Sequence, residues 1–204
     1  MDYQTEDYRF SIALFVTLAF CMYLPIKAAP FVYEDVRWLG SVNQEILWTW
    51  PSRALTNFSF QVQSEIPVSP AWFHMLNVGV HLVNSVLIAM IALPMIGRLG
   101  SIFASGIFAV HPLMSEAVSY VAVRGDLLLT CCALVALWGL RNGQRGLMVA
   151  AGAMILAGWT KEIGVVVMGL MLWTCLIYRQ HVKLMGYGAG VVALLCLVKW
   201  PTFS

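Results

Sequence analysis

Charge is scarce in this 204-residue chain: Asp, Glu, Lys and Arg make up 11% of it, against 60% hydrophobic residues. Soluble domains carry roughly a quarter of their residues as charges, so a water-soluble core is excluded. The formal net charge is only +2 and no basic cluster occurs. A nucleic-acid partner is therefore excluded as well. No internal repeat or low-complexity tract is present. The five cysteines, Cys21, Cys131, Cys132, Cys175 and Cys196, stand inside apolar runs and form no C-x-x-C. They read as small buried hydrophobes rather than disulfides or zinc ligands. A basic leader is missing too, since the first nine residues carry Asp2, Glu6 and Asp7 against Arg9 alone. The apolar run that follows is read as a retained helix, not a cleaved signal.

What is present is apolar sequence in membrane-length pieces. With a mean hydropathy of +0.79, the chain reads as an all-α polytopic membrane protein, one transmembrane domain over residues 1–204. About seven transmembrane helices are predicted: Phe10 to Leu24, Ala71 to Leu93, Leu99 to Val110, Leu127 to Leu140, Leu147 to Trp159, Ile163 to Tyr178 and Leu184 to Trp200. Pro94 and Gly97 separate the second from the third. Residues 27–70 form the longest polar stretch, with Trp38, Trp48 and Trp50. Its apolar patches, Ile46 to Trp50 and Leu55 to Phe60, are too short to span. They are expected to lie in the membrane interface as short helices of a long first external loop.

Three very short connections carry Arg98, then Arg141 and Arg145, then Arg179 and Lys183. Short basic loops face the cytoplasm, which puts the N-terminus there too. The 27–70 loop, the stretch 111–126 and Lys161-Glu162 then face the opposite, periplasmic or lumenal side. The raw count of Lys and Arg is six on each side, so the short loops decide the orientation. Seven acids accompany the outer six: Glu34, Asp35, Glu45, Glu65, Glu116, Asp126 and Glu162.

The stretch 111–126, HPLMSEAVSYVAVRGD, is the polar centre of the chain. Ionisable groups beside bilayer-depth segments are expensive and mark candidate sites. A helix from Met114 to Val123 would put Glu116, Tyr120 and Arg124 on one face; the plain alternative is an interfacial loop tied by a Glu–Arg pair. Together with Glu34-Asp35 and Lys161-Glu162, three charged clusters reach one membrane face. Carboxylates can take a proton from a hydroxyl, and Arg and Lys can hold a phosphate. The alternative is a network of interfacial ion pairs, each worth little. His74, Asn77, His81 and Asn84 form a polar stripe on the second helix, read as interhelical hydrogen bonding or as the lining of a cavity. A metal on His74 and His81 is a weaker reading, because they lie two turns apart.

In order, FVYED, SRALTNFSF, SPAWFHMLNVGVHLVNSVL, FAVHPLMSEAVSYVAVRGDLLL and WTKEIG resemble the transmembrane and tetratricopeptide-repeat O-mannosyltransferases and their bacterial relatives. These are polytopic glycosyltransferases of the GT-C class. The likeness runs from about Phe31 to Gly164, over the family's N-terminal membrane module. The H-P-x-x-x-E-x-V run with its following Arg, the F-H-x-x-N-x-x-x-H stripe and the K-E-x-G are together fairly specific. The resemblance implies a sugar carried on a polyprenyl phosphate and transferred to a hydroxyl on the non-cytoplasmic side. It makes Asp35 the general base, with Glu34 supporting it or binding a metal. Arg124 and Lys161 would neutralise the donor phosphate, and His111, Glu116 and Glu162 would complete the site, with Asp126, Arg53, His74 and His81 in support. Two departures stand out: the family more often has Asp where Glu34 stands, and Tyr-Arg-Pro in place of Ser52-Arg53-Ala54. The sequence requires no cofactor and leaves a divalent cation open. Expected partners are membrane lipids and the polyprenyl-phosphate-linked sugar. The competing readings are a non-catalytic GT-C-like subunit that scaffolds a larger membrane complex or binds lipid, and a lipid-carrier flippase.

Overall fold

The structure, a computed structural model, describes residues 3–32, 35, 53–64 and 69–177. Among the described residues there is no strand. The elements are α1 (Tyr3–Tyr23), a 3-10 segment (Leu24–Ala28), α2 (Ala54–Ser64), α3 (Pro70–Val110), α4 (Pro112–Ser119), a 3-10 turn (Val121–Val123), α5 (Arg124–Leu140), α6 (Gly143–Gly158) and α7 (Gly164–Ile177). Among the described residues three stretches are long and apolar enough to cross a membrane: Tyr8–Ala28, Pro70–Val110 and Val121–Leu140. The chain is thus an integral membrane protein built of helices. The expected fifth and sixth helices correspond to α6, whose 16 residues are fewer than the roughly 20 a span needs, and to α7, described from Gly164 to Ile177. The seventh, the Ile46 to Trp50 patch and Glu34 lie outside the described residues. The chain divides into two compact units, Met1–Leu39 with Glu65–Leu127, and Gly40–Ser64 with Leu128–Ser204.

In the first unit, α3 is 41 residues long. A straight helix of that length would run about 60 Å, twice the ~30 Å hydrocarbon core. It bends instead. Pro94 lacks the N–H that would bond back to the preceding turn, and Gly97 takes φ 71°, ψ −175°, a conformation open essentially to glycine alone. The two arms fold back on each other, as two contacts show. Ser105 donates to the Ser85 carbonyl at 2.7 Å and His81 Nε2 meets the Ala109 carbonyl at 3.0 Å. These pairs lie ten and fourteen residues either side of Met95, the signature of an antiparallel hairpin. The predicted separation of the second and third helices is therefore real, made by a bend within one continuous element.

Helix α1 lies along both arms. At one end the Tyr8 hydroxyl donates to the Ala89 carbonyl at 3.4 Å and accepts from Ser101 at 3.2 Å. Midway the Phe15 ring lies against the Gly106 backbone. At the other end Tyr23 packs edge-on to His81 and shares a core with Val78, Val118 and Leu127. That second end gathers the 3-10 segment, the first turns of α3, and α4.

The second unit is held by small residues. Ala136, Ala150 and Ala153 pack with Met154, Met168 and Met171. At Gly139 an added Cβ would lie 2.5 Å from the Gly146 carbonyl, and one at Gly146 would collide with that of Gly139. Helices α5 and α6 therefore touch through their backbones, as membrane helices often do. In the stretch expected to carry interfacial helices, α2 buries Thr56, Asn57, Phe60 and Gln63 and exposes Phe58 and Val62. Its start is fastened to the turn after α6: Leu55 N–H donates to the Trp159 carbonyl at 2.8 Å and Thr56 Oγ1 to that of Thr160 at 2.6 Å.

Candidate functional site

The site is built on a helix break. Pro112 opens α4, and the His111 ring caps it by accepting from Leu113 N–H at 3.2 Å. The helix closes when Tyr120 N–H reaches the Glu116 carbonyl at 3.0 Å. Tyr120 itself is extended (φ −91°, ψ 112°), a 3-10 turn follows, and α5 begins at Arg124. A single helix over Met114 to Val123, one of the two readings of this stretch, is therefore not formed. Glu116, Tyr120 and Arg124 do not share a face: Glu116 is exposed and Arg124 is wholly buried.

Breaking a helix strands backbone groups that must find partners when buried. Here side chains from elsewhere in the unit take them. Asp35 Oδ1 accepts from Ala122 N–H at 2.7 Å, and Oδ2 accepts from Val32 N–H at 3.4 Å. Asn77 Nδ2 donates to the Tyr120 carbonyl at 3.3 Å. One heptad further along each segment, Asn84 Nδ2 donates to the Leu127 carbonyl at 3.0 Å. The first arm of α3 thus runs beside residues 120–127 and is laced to them at two points.

Arg124 points into this lacing. Its Nε donates to Asn77 Oδ1 at 2.8 Å and its Nη2 to the Phe73 carbonyl at 3.1 Å. Its guanidinium carbon lies 5.6 Å from the centre of the Phe73 ring, within cation–π range. Asp35 is close enough to act electrostatically on Arg124 and on His74. The Phe31 ring meets those of Phe73 and His74 at 5.6 and 6.2 Å. His74 is 1% exposed, and the Ser119 and Ala29 backbones lie within reach of its ring. Asp35, Phe73, Asn77 and Arg124 are wholly buried. The result is a buried polar centre that gathers a carboxyl group, a guanidinium and an imidazole where α1 ends and α3 and α5 begin.

The chain resembles the O-mannosyl-transferases. It is 30% identical over 142 residues to protein O-mannosyl-transferase Tmtc1 of Drosophila melanogaster and 30% identical over 144 residues to Tmtc2 of the same fly. Each match covers 58% of this chain but only 16% and 15% of the relative. No protein-family profile and no solved structure matches the chain.

Of the residues picked out in the sequence, Asp35, His74 and Arg124 come together in the first unit. His81 lies further along α3, bonded to Ala109 and stacked on Phe108. His111 is an exposed cap, and Asp126 sits in the first turn of α5, where a negative charge suits the helix dipole. Arg53, Lys161 and Glu162 belong to the second unit. There Arg53 grips Glu162 with two prongs, Nε to Oε1 at 2.9 Å and Nη2 to Oε2 at 3.1 Å. Among the described residues no group of three His, Cys, Asp or Glu side chains is placed to hold a metal. The polar stripe works mainly as interhelical hydrogen bonding, through Asn77, His81 and Asn84. Sequence reasoning missed Asn77 as a partner of Arg124 and missed the Arg53–Glu162 pair. The stripe pointed toward the first, and nothing local marked the second.

Proposed function

We propose that the chain is a membrane glycosyltransferase that moves a sugar from a polyprenyl-phosphate-linked donor to a hydroxyl acceptor on the non-cytoplasmic face. The observation that carries this reading is the meeting of Asp35 and Arg124 in one buried centre, in a chain that resembles named O-mannosyl-transferases. In the reaction the acceptor oxygen forms a bond to the sugar's anomeric carbon as the bond from that carbon to the phosphate oxygen breaks. The acceptor proton passes to a carboxylate, and the lipid phosphate leaves with its charge. Asp35 supplies the base: an ionised carboxylate has about four lone-pair sites, and two backbone N–H groups leave capacity for a hydroxyl. Arg124 offsets the phosphate charge, with Glu34 supporting Asp35. The lipid phosphate is already a competent leaving group, so positioning and charge neutralisation are the main tasks.

Asp35→Asn tests this. Asparagine keeps the shape and an oxygen for Ala122 N–H, but cannot serve as base. Transfer from a polyprenyl-phosphate mannose donor should fall by about 100- to 10,000-fold, with donor binding largely kept. Unchanged transfer would sink the assignment of Asp35.

One observation favours a second reading, a non-catalytic subunit that retains the fold. Asp35 and Arg124 are wholly buried and bound to protein groups, as structural polar residues are. A wild-type chain that binds no such lipid would leave this second reading standing.

A further inference from the structure

Three buried polar atoms of the first unit have no hydrogen-bond partner among the described residues: the Tyr23 hydroxyl, His81 Nδ1 and Asn84 Oδ1. Their residues are 2%, 0% and 0% exposed. All three stand in membrane-length stretches, Tyr8–Ala28 and Pro70–Val110, where an unsatisfied polar group is costly. The bonds made by the other ends of two of these side chains fix what each atom can do. His81 Nε2 faces the Ala109 carbonyl at 3.0 Å, and Asn84 Nδ2 donates to the Leu127 carbonyl at 3.0 Å. A carbonyl only accepts, and a neutral imidazole has one donor and one acceptor nitrogen. Nε2 therefore carries the ring proton, and His81 Nδ1 is an acceptor. Asn84 Oδ1 is an acceptor by the same logic. The Tyr23 hydroxyl can donate.

The three side chains belong to one junction. Tyr23 meets His81 edge-on, with ring centres 5.5 Å apart. Phe108 stacks on the His81 ring at 5.1 Å, so the imidazole is held on its face as well as at Nε2. Asn84 lies three residues after His81 on the first arm of α3, on the neighbouring turn of the same side. Tyr23 packs with Leu127 in one core, and Leu127 is the residue whose carbonyl Asn84 binds. Tyr23, His81, Asn84 and Leu127 thus close a ring of contacts.

We infer that this junction binds a single water molecule, which donates to His81 Nδ1 and Asn84 Oδ1 and accepts from the Tyr23 hydroxyl. Two acceptors and one donor match the two protons and a lone pair of water, and three bonds are the usual number for a buried one. An anion would face two acceptors. A cation would find no charge to balance it on these three side chains. The water ties α1 to the first arm of α3 and, through Asn84, to the start of α5.

Tyr23→Phe removes the hydroxyl alone, and the two states of the junction push its effect in opposite directions. In a dry junction the hydroxyl is a buried unsatisfied group, so Phe should raise Tm. With water bound, Phe takes a bond from it, and Tm should fall by about 2–4 °C. Thermal unfolding of the full chain in lipid nanodiscs reads the sign. Nitrogen NMR of isotope-labelled histidines is measured on the same two proteins, because a direct Tyr23–His81 bond would lower Tm as well. Water stays on His81 Nδ1 when Tyr23 loses its hydroxyl, so that resonance should hold its position. A Tm that rises or stays level overturns the inference. A fall in Tm with His81 Nδ1 shifting as its bond is lost also overturns it, in favour of direct contact. Should Tyr23→Phe not fold, a wild-type structure that shows ordered water decides. One peak within about 3.2 Å of all three atoms supports the site, and its absence overturns it.

Discussion

Each unit of this protein contains an arginine and a carboxylate, and the two units use them differently. In the second unit Arg53 and Glu162 satisfy each other directly, two-pronged, with side chains 28% and 24% exposed. Water reaches both, so the attraction is screened and the pair contributes modestly. In the first unit Arg124 and Asp35 are wholly buried, and the bonds that hold them go mainly to other groups. Asn77 and the Phe73 carbonyl hold the cation; the Ala122 and Val32 amides hold the anion. Burying charges costs several kcal/mol per ion unless hydrogen bonds offset it. A pair needed only to join two segments is most simply left at the surface, as Arg53 and Glu162 are. The first unit's pair is instead kept in the interior, held by an amide and by backbone groups.

The comparison predicts where the protein breaks. Arg124→Ala should have the largest effect on stability. It leaves Asp35 buried without its cation and strips acceptors from Asn77 and Phe73 of their donor. Breaking a buried pair by removing one partner costs about 3–5 kcal/mol, read as a lowered unfolding midpoint by circular dichroism in detergent. A loss no larger than that of the surface pair would erase the distinction between the units. Next comes Gly146→Val. The second unit's cohesion lies in backbone approach rather than in its ion pair, and any side chain at 146 strikes the Gly139 carbonyl. Forcing volume into a packed contact costs about 1–3 kcal/mol. If Gly146→Val unfolds no more easily than wild type, the close packing of α5 on α6 is not what holds that unit.

Much of the helical layout was readable in the sequence. Helices expected from Leu127 to Leu140, Leu147 to Trp159 and Ile163 to Tyr178 are found at Arg124–Leu140, Gly143–Gly158 and Gly164–Ile177. Long apolar runs closed by Pro, Gly or Arg mark themselves. The break at Tyr120 did not. Ser119, Tyr120 and Val121 include no glycine or proline, and the four-residue spacing of Glu116, Tyr120 and Arg124 suits one continuous helix. What opens the helix is tertiary: Asp35, 87 residues away, takes the Ala122 amide, and Asn77, 43 residues away, takes the Tyr120 carbonyl. No local pattern encodes a partner that distant. The same holds for the candidate site. Its charged members announced themselves by their cost in an apolar chain, whereas the neutral amide that orients Arg124 looked like one more polar residue on a stripe.

The smallest effect should be at the surface pair, and a double-mutant cycle of Arg53→Ala and Glu162→Ala measures it. Two-pronged geometry favours coupling, but partial exposure, salt screening and the entropy of fixing two long side chains oppose it. The coupling should fall at about 0.2–1 kcal/mol and shrink as salt is added. The start of α2 has independent anchors in Leu55 N–H to Trp159 and Thr56 Oγ1 to Thr160, so either single variant should keep the helix docked. A coupling of 3 kcal/mol or more would place this pair in the same energetic class as the buried centre, and the contrast between the two units would be lost.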